Sequence, residues 1–395
     1  MSSIESWAYL SRTIEGPSPH LQALLAAGRD ADEIARGVRT RASWIRGLAG
    51  PTEQRYAKNL AADDLETAAE LGYTLLTPDS PTWPQEVITE GWAGFEGDPD
   101  PNGCQPHALW VKGETNLPKL LAQSVAFVGT RAASIHGHHA TANLVNGLAA
   151  HRYTIVSGGA LGIDTVAHQT ALAANAPTVM ITACGPGVTY PKPNAQLYED
   201  IPARGGAVIT EYPPYKSPDR HRFLTRNRLI AGLSNGTVVV EASYRSGALN
   251  TVNWAHGLKR SVMAVPGSIM EPSSLGTNLL MYKGEAQMVL NADQIREHLN
   301  AIGEVDAEAI QEAIQGTLFP KSPVQELSRN ELRIYDSLPR IGDGSADAAK
   351  VAEEAGVSVG LAVYLLLELE KRQLVAREGK MWRRVILDDE GCALA

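Results

Sequence analysis

Six short apolar runs between residues 123 and 267 constrain this chain more than any other feature. They are SVAFVG, YTIVSGG, PTVMITACG, GAVITEY, GTVVVEAS and SVMAVPG. Each is β-rich and ends in small or polar residues, and most are followed by enough chain for a helix. Strands buried on both faces need continuous rather than alternating apolar residues, and that is what these runs provide. Strand, loop, helix and strand in repetition predict an α/β fold with a doubly wound, mostly parallel sheet of extended Rossmann-like type. Ligands of such sheets sit at the carboxyl ends of the strands. The chain places Gly129, Gly158, Gly159, Gly185 and Gly187 there.

At 395 residues the chain exceeds one typical core, so several domains are expected. A helical N-terminal domain of SAM or helix-hairpin-helix type is expected over 1–75. A connector at 76–122 holds TPDSPTWP, FEGDPDPNGCQP and HALWVKG, the last read as a strand. The Rossmann-like domain is expected over 123–300 and a linker over 301–327. From 328 to 395, RNELRIYDSL, SADAAKVAEEAG and VSVGLAVYLLLELEKRQ read as three helices. LVAREGKMWRRV reads as a hairpin around Glu378-Gly379, which makes the unit a winged helix.

With 44% hydrophobic and 20% charged residues, the composition excludes a disordered chain. A net charge of −9 argues against coating nucleic acid through bulk charge, yet leaves room for a local basic groove. The three cysteines are far apart and form no CxxC pair, so neither zinc nor a disulfide framework is implied. MSSIESWAYLSR has no basic segment followed by an apolar run, and no apolar stretch approaches the ~18 residues of a membrane span. A soluble, cytoplasmic protein is expected.

The sheet lacks both G-x-G-x-x-G and G-x-x-x-x-G-K-[ST], which removes the main support for a dinucleotide cofactor or a P-loop ATPase. In their place stands VGTRAAS, where Gly129 and Thr130 follow a strand end and Arg131 projects toward a helix start near Ser134. Backbone N–H groups with a guanidinium make a phosphate site, although an ordinary turn with an exposed arginine reads the same way. In SGGALGIDTVAH, Asp164 and His168 lie four apart on one helix. They read as a catalytic pair or, preferably, as braces of the Gly158-Gly159 loop. In CGPGVTYPKPN, two prolines present Lys192 at low entropic cost, while Tyr190 is placed to stack on a base or to cover the sheet edge.

YKSPDRHRFLTRNRLI carries Lys216, Arg220, Arg222, Arg226 and Arg228 against Asp219, with Tyr215 and Phe223 interleaved. Cations for the backbone and aromatics for the bases are what single-strand binders combine. Glu241, at the end of a buried strand and in company with several arginines, reads as an ion-pair brace rather than a base. The third helix of the winged unit has no Lys or Arg in its first half, which does not suit base reading. The wing carries Arg377, Lys380, Arg383 and Arg384 and suits non-specific phosphate contact.

Taken together, VGTRAASIHG, SGGALGIDTVAH, GPGVTYPKPN, ITEYPP, FLTRNRLIAGLS, VVVEASYRSGALNT and VPGS…SLGTN resemble, in order, the bacterial DNA-processing protein A (DprA, also called Smf) family. The resemblance implies a non-catalytic mediator of natural transformation and homologous recombination. Such a protein binds and protects incoming single-stranded DNA, dimerises through its Rossmann-like fold and helps load the recombinase RecA. It implies no cofactor and no metal. By motif position Arg131 and Lys192 are the main phosphate contacts, with Gly129, Thr130, Ser134, Gly158, Gly159, Arg226 and Arg228 completing the groove and Tyr190 and Phe223 offering stacking.

Two other readings stand beside it. One is a nucleotide phosphoribohydrolase of the lysine-decarboxylase-like Rossmann group, using Asp164 or Glu241. The other is a winged-helix regulator with a sensor domain. The segment VMAVPGSIMEPSSLGTNLLMY is the expected dimer contact, because an edge-like strand and an apolar helix there leave surface to cover.

Overall fold

The computed structural model describes residues 2–93, 95, 102–300, 323–324, 327–339 and 344–385. Most of the expected linker, the acidic part of the connector, and Cys392 lie outside these residues. The chain forms two compact units, residues 1–306 and 307–395.

The first unit is built on nine strands: β1 (Tyr73–Leu76), β2 (Leu109–Gly113), β3 (Ser124–Val128), β4 (Thr154–Ser157), β5 (Thr178–Ile181), β6 (Ala207–Thr210), β7 (Gly236–Val239), β8 (Ser261–Ala264) and β9 (Gln287–Met288). Their spatial order is β1-β2-β6-β5-β4-β3-β7-β8-β9. From β6 across to β9 every neighbouring pair is parallel. β2 joins β6 antiparallel and β1 joins β2 antiparallel. The run HALWVKG therefore extends the sheet, and β1 adds an edge strand that the apolar-run pattern did not single out.

β3 enters in the middle. The chain then winds outward through β4, β5 and β6, returns to β7 beside β3, and winds the other way. The direction of winding thus switches between β3 and β7, where a crevice opens in sheets of this kind.

Every residue of β3 through β7 is buried, which accounts for their unbroken apolar character. Side chains still alternate between two cores. Ala126 and Val128 face Leu229, Ile230, Val252 and Ala255 of the helices Arg220–Gly232 and Ala248–Gly257. Val125 and Phe127 face Leu144, Val145, Ile163 and Ala167 of the helices Ile135–Ala150 and Ile163–Ala173. The N-terminal helices share a third core with the β1, β2, β5 and β6 side: Trp7, Tyr9 and Leu10 pack with Trp110, Met180 and Val208. The Trp110 indole donates to Ser11 at 3.1 Å, tying the first helix to β2.

In the second unit, helices Arg329–Asp336, Ala348–Ala355 and Val359–Lys371 surround Ile334, Val351, Leu366 and Leu369. A three-stranded sheet of β10 (Ala346–Asp347), β11 (Val375–Glu378) and β12 (Met381–Arg384) closes this core with Trp382. The helix Val359–Lys371 exposes Val359, Leu361, Val363, Tyr364 and Leu367, an apolar rather than a basic outer face. No helix among the described residues is long and apolar enough to cross a membrane.

Candidate nucleic-acid interface

The crevice at the switch point is a cleft of about 490 Å³ lined by Gly129, Thr130 and Arg131 after β3 and by Ser246 and Gly247 after β7. Arg220, Phe223 and Asn227 of the helix Arg220–Gly232 form its wall. A slot of about 50 Å³ adjoins it, between Leu161, Tyr190, Pro191 and Phe223. The two share Arg131 and Phe223, so one continuous surface runs from the end of β3 to the Tyr190 loop.

Arg131 and Arg220 line this surface and are exposed, Lys192 is exposed one residue beyond the slot-lining Pro191, and none of the three has an ion-pair partner among the described residues. The Arg131 guanidinium lies 5.5 Å from the centre of the Phe223 ring. Tyr190 and Phe223 meet at 5.4 Å between centroids and tilt by 51°, which leaves Tyr190 42% exposed. Cations and aromatics of this kind, set side by side, suit a charged backbone carrying flat bases.

Asn194, at the end of the GPGVTYPKPN string, and Tyr198, to neither of which the sequence assigned a role, hold these loops together. The Asn194 amide donates to Gly159 O at 2.9 Å and to Thr165 Oγ1 at 2.8 Å, locking the Lys192 loop onto the glycine loop. Tyr198 donates to Tyr190 O at 2.9 Å and accepts from Tyr190 N.

Other residues expected at phosphates occupy the interior. Arg228 has a side chain with no exposure, and its Nη2 donates to both oxygens of Glu211 at 2.6 and 2.7 Å. Arg226 is 5% exposed, and its Nη1 donates to Gly158 O at 2.6 Å and to Ile181 O. Arg226 therefore braces the floor of the cleft and slot, while Arg228 is tied to Glu211 after the end of β6. They fall inward because their helix turns one face to the sheet, where Leu229 and Ile230 are buried.

Arg226 also explains Gly158, since a Cβ there would lie 2.6 Å from the guanidinium. Gly162, at φ +81°, seats the loop so closely that a Cβ would meet Thr130 O at 2.2 Å. The glycines of this loop thus serve internal approach of chain segments.

Ser134 caps the helix Ile135–Ala150 by accepting from Gly137 N at 3.1 Å. Its own hydroxyl and amide donate to the two oxygens of Glu241. Glu241 braces through these hydrogen bonds, and no arginine pairs with it among the described residues. Its carboxylate lies at the helix start that sequence had offered to a phosphate.

Asp164 accepts from Gly158 N at 3.1 Å and Ala160 N at 3.3 Å. Burial pushes its carboxyl pKa up, against the pull of Arg226 and these amides. His168 turns elsewhere: its Nδ1 meets Thr178 Oγ1 at 2.7 Å, and that hydroxyl donates to Ile155 O, so Nδ1 carries the proton. Asp164, Glu241 and His168 each hydrogen-bond scaffold atoms, with Asp164 also lining the cleft.

In the second unit, Lys380 and Arg383 are exposed on the hairpin. Arg377 stacks 5.3 Å from the centre of Trp382. Arg384 is held inward, over Tyr335 and donating to Asp336 O at 2.8 Å.

Two buried histidines give a pH prediction. Burial, with Arg226 adding, pushes His168 down to about 3, and burial with Arg228 does the same to His107. Folded histidines this hard to protonate stabilise the protein fully above the unfolded value of about 6.5. That stability is lost as pH falls from there toward 3, by up to about 1.4 kcal/mol per pH unit for each. Urea melts between pH 7 and 5 should show the decline, and His168→Gln should reduce its slope. A slope unaltered in that variant would refute the assignment.

Comparison with known proteins places these features among relatives. The sequence model of the family described as DNA recombination-mediator protein A matches residues 75–300. The chain is 38% identical over 379 residues to a putative DNA processing protein DprA of Mycobacterium tuberculosis, covering 96% of this chain and 93% of that protein. It is 36% identical over 265 residues to protein Smf of Escherichia coli, covering 67% and 68%. The X-ray structure of DNA processing protein A from Streptococcus pneumoniae superposes with a TM-score of 0.61 at 27% identity, covering 76% of this chain and 100% of that one.

Proposed function

Since the chain belongs to the DNA recombination-mediator protein A family, we propose that it binds single-stranded DNA along the surface formed by Arg131, Lys192, Arg220, Tyr190 and Phe223. The observation that carries this reading is a switch-point cleft whose wall joins the exposed cations Arg131 and Arg220 to Phe223, which meets Tyr190 on the loop that also presents the exposed Lys192. Cations at such a surface take phosphates of any sequence, and Tyr190 and Phe223 offer ring faces to bases. Arg226, Arg228, Ser134, Asp164, His168 and Glu241 shape the surface from beneath. The role is binding and presentation without chemistry on the strand.

In this reading the protein works in the cytoplasm, shields incoming strands and hands them to RecA. It acts as a homodimer. Ile269 at 90% exposure, Met270 at 82% and Tyr282 at 88% offer the apolar contact, while Met281 packs partly into the protein's own core. Purely monomeric mass in solution at micromolar concentration would remove the dimer. Lys380, Arg383 and Arg377 add sequence-independent phosphate contacts from the second unit.

The test is anisotropy of labelled poly-dT and of the matching duplex, at several salt concentrations and without nucleotide. Tight binding that prefers the strand is expected, with log K falling by about 0.7 per neutralised phosphate as log salt rises. Absence of binding at low salt would overturn the proposal.

A further inference from the structure

Four cations of the basic run are not free, and two of these answer to one carboxylate. Glu15, just past the end of the first helix, is 11% exposed and is surrounded by Lys216, Arg222 and Arg55. Its Oε2 lies 3.5 Å from Arg222 and 3.7 Å from Arg55, and its Oε1 touches the Lys216 ammonium. Three cations, two from the basic run and one from the N-terminal helices' side of the chain at Arg55, thus converge on a single anion. The other charges at hand are Asp219, 3.7 Å from Arg222, and the Arg12–Asp64 pair. Over this cluster positive charge still exceeds negative.

The cradle's cations reach solvent in part, and its chain is hydrogen-bonded to the loop after β5. Lys216 is 25% exposed and Arg222 18%. Tyr215, beside Lys216, is 64% exposed. Tyr215 N donates to Pro186 O at 2.8 Å, and Gly185 N donates to Lys216 O at 3.0 Å. The segment therefore rides on the same loop that presents Tyr190 and Lys192.

Building on the single-strand reading, we propose that this cradle is a latent second phosphate subsite, which the Glu15 carboxylate keeps filled in the wild type whether or not DNA is bound. A phosphodiester carries one negative charge and accepts from several directions, so it matches what Lys216, Arg222 and Arg55 present. Tyr215 is the ring face for the adjoining base. Glu15 acts as a built-in competitor that keeps these cations from contributing to wild-type affinity.

The experiment is Glu15→Gln, titrated with labelled poly-dT across salt beside the wild type. Release of one or two cations should steepen the salt slope by about 0.7 to 1.4. At the lowest salt, binding should tighten roughly threefold or more, the size of one exposed ion pair. Lys216→Gln should leave the wild-type slope unchanged and cancel the gain in the Glu15→Gln background. A Glu15→Gln protein that melts like wild type and keeps its slope would overturn the proposal. So would a lower slope for Lys216→Gln alone, and that variant decides the matter even if Glu15→Gln does not fold. A wild type that fails to bind poly-dT would instead sink the single-strand reading itself.

Discussion

Arg228→Ala is expected to cost about 3–5 kcal/mol of folding stability, the usual penalty for stripping one partner from a buried ion pair. Glu211 would be left as a carboxylate 3% exposed with its hydrogen-bond donor gone. Burial already pushes the Glu211 pKa up against the opposing charge of Arg228, so removal of that charge favours the protonated form. Urea unfolding followed by circular dichroism checks this. The double variant Arg228→Met with Glu211→Leu should recover much of the loss, because neither charge then needs solvation. If Arg228→Ala lost DNA affinity while its stability changed by less than about 1 kcal/mol, the residue would be a phosphate ligand after all.

The largest effect on binding is expected from Arg131→Ala combined with Lys192→Ala. Each removes a charged hydrogen bond worth about 1.5 kcal/mol, so poly-dT affinity should fall roughly a hundredfold at low salt. The salt slope should fall by about 0.7 for each residue, and the loss should be alike for all sequences. Both side chains are exposed, so the unfolding midpoint should stay close to wild type. A double variant with wild-type affinity and slope would move the interface elsewhere. The same double variant separates the two subsites: Glu15→Gln on this background should still steepen the slope, because its cradle uses other cations.

How much of this was legible in the chain depended on the range of the forces involved. Continuous apolar runs at residues 124–128, 154–157, 178–181, 207–210, 236–239 and 261–264 are local signals, and all six became parallel strands of the central sheet. Glycines after the strand ends at 128, 157 and 181 pointed to the carboxyl edge of the sheet, where the cleft lies. The exposure of Lys192 beside two prolines was also readable, since a rigid loop beyond a strand has nowhere to bury an ammonium.

The sequence alone thus determined the six central parallel strands, the edge of the sheet at which the cleft opens, and the cations and aromatics carried in its loops. Tertiary structure decided which cations belong to that surface. In the run 215–230 the five cations look equivalent, yet only Arg220 remains exposed and without an ion-pair partner among the described residues. Arg226 turned to carbonyls of β5 and the glycine loop, Arg228 to Glu211, and Lys216 and Arg222 to Glu15 about two hundred positions away in the chain. A charge is cheap to leave in water and costly to bury alone, so its place is set by whichever acceptor the fold brings within reach. Such acceptors are long-range neighbours, and no local pattern of residues announces them.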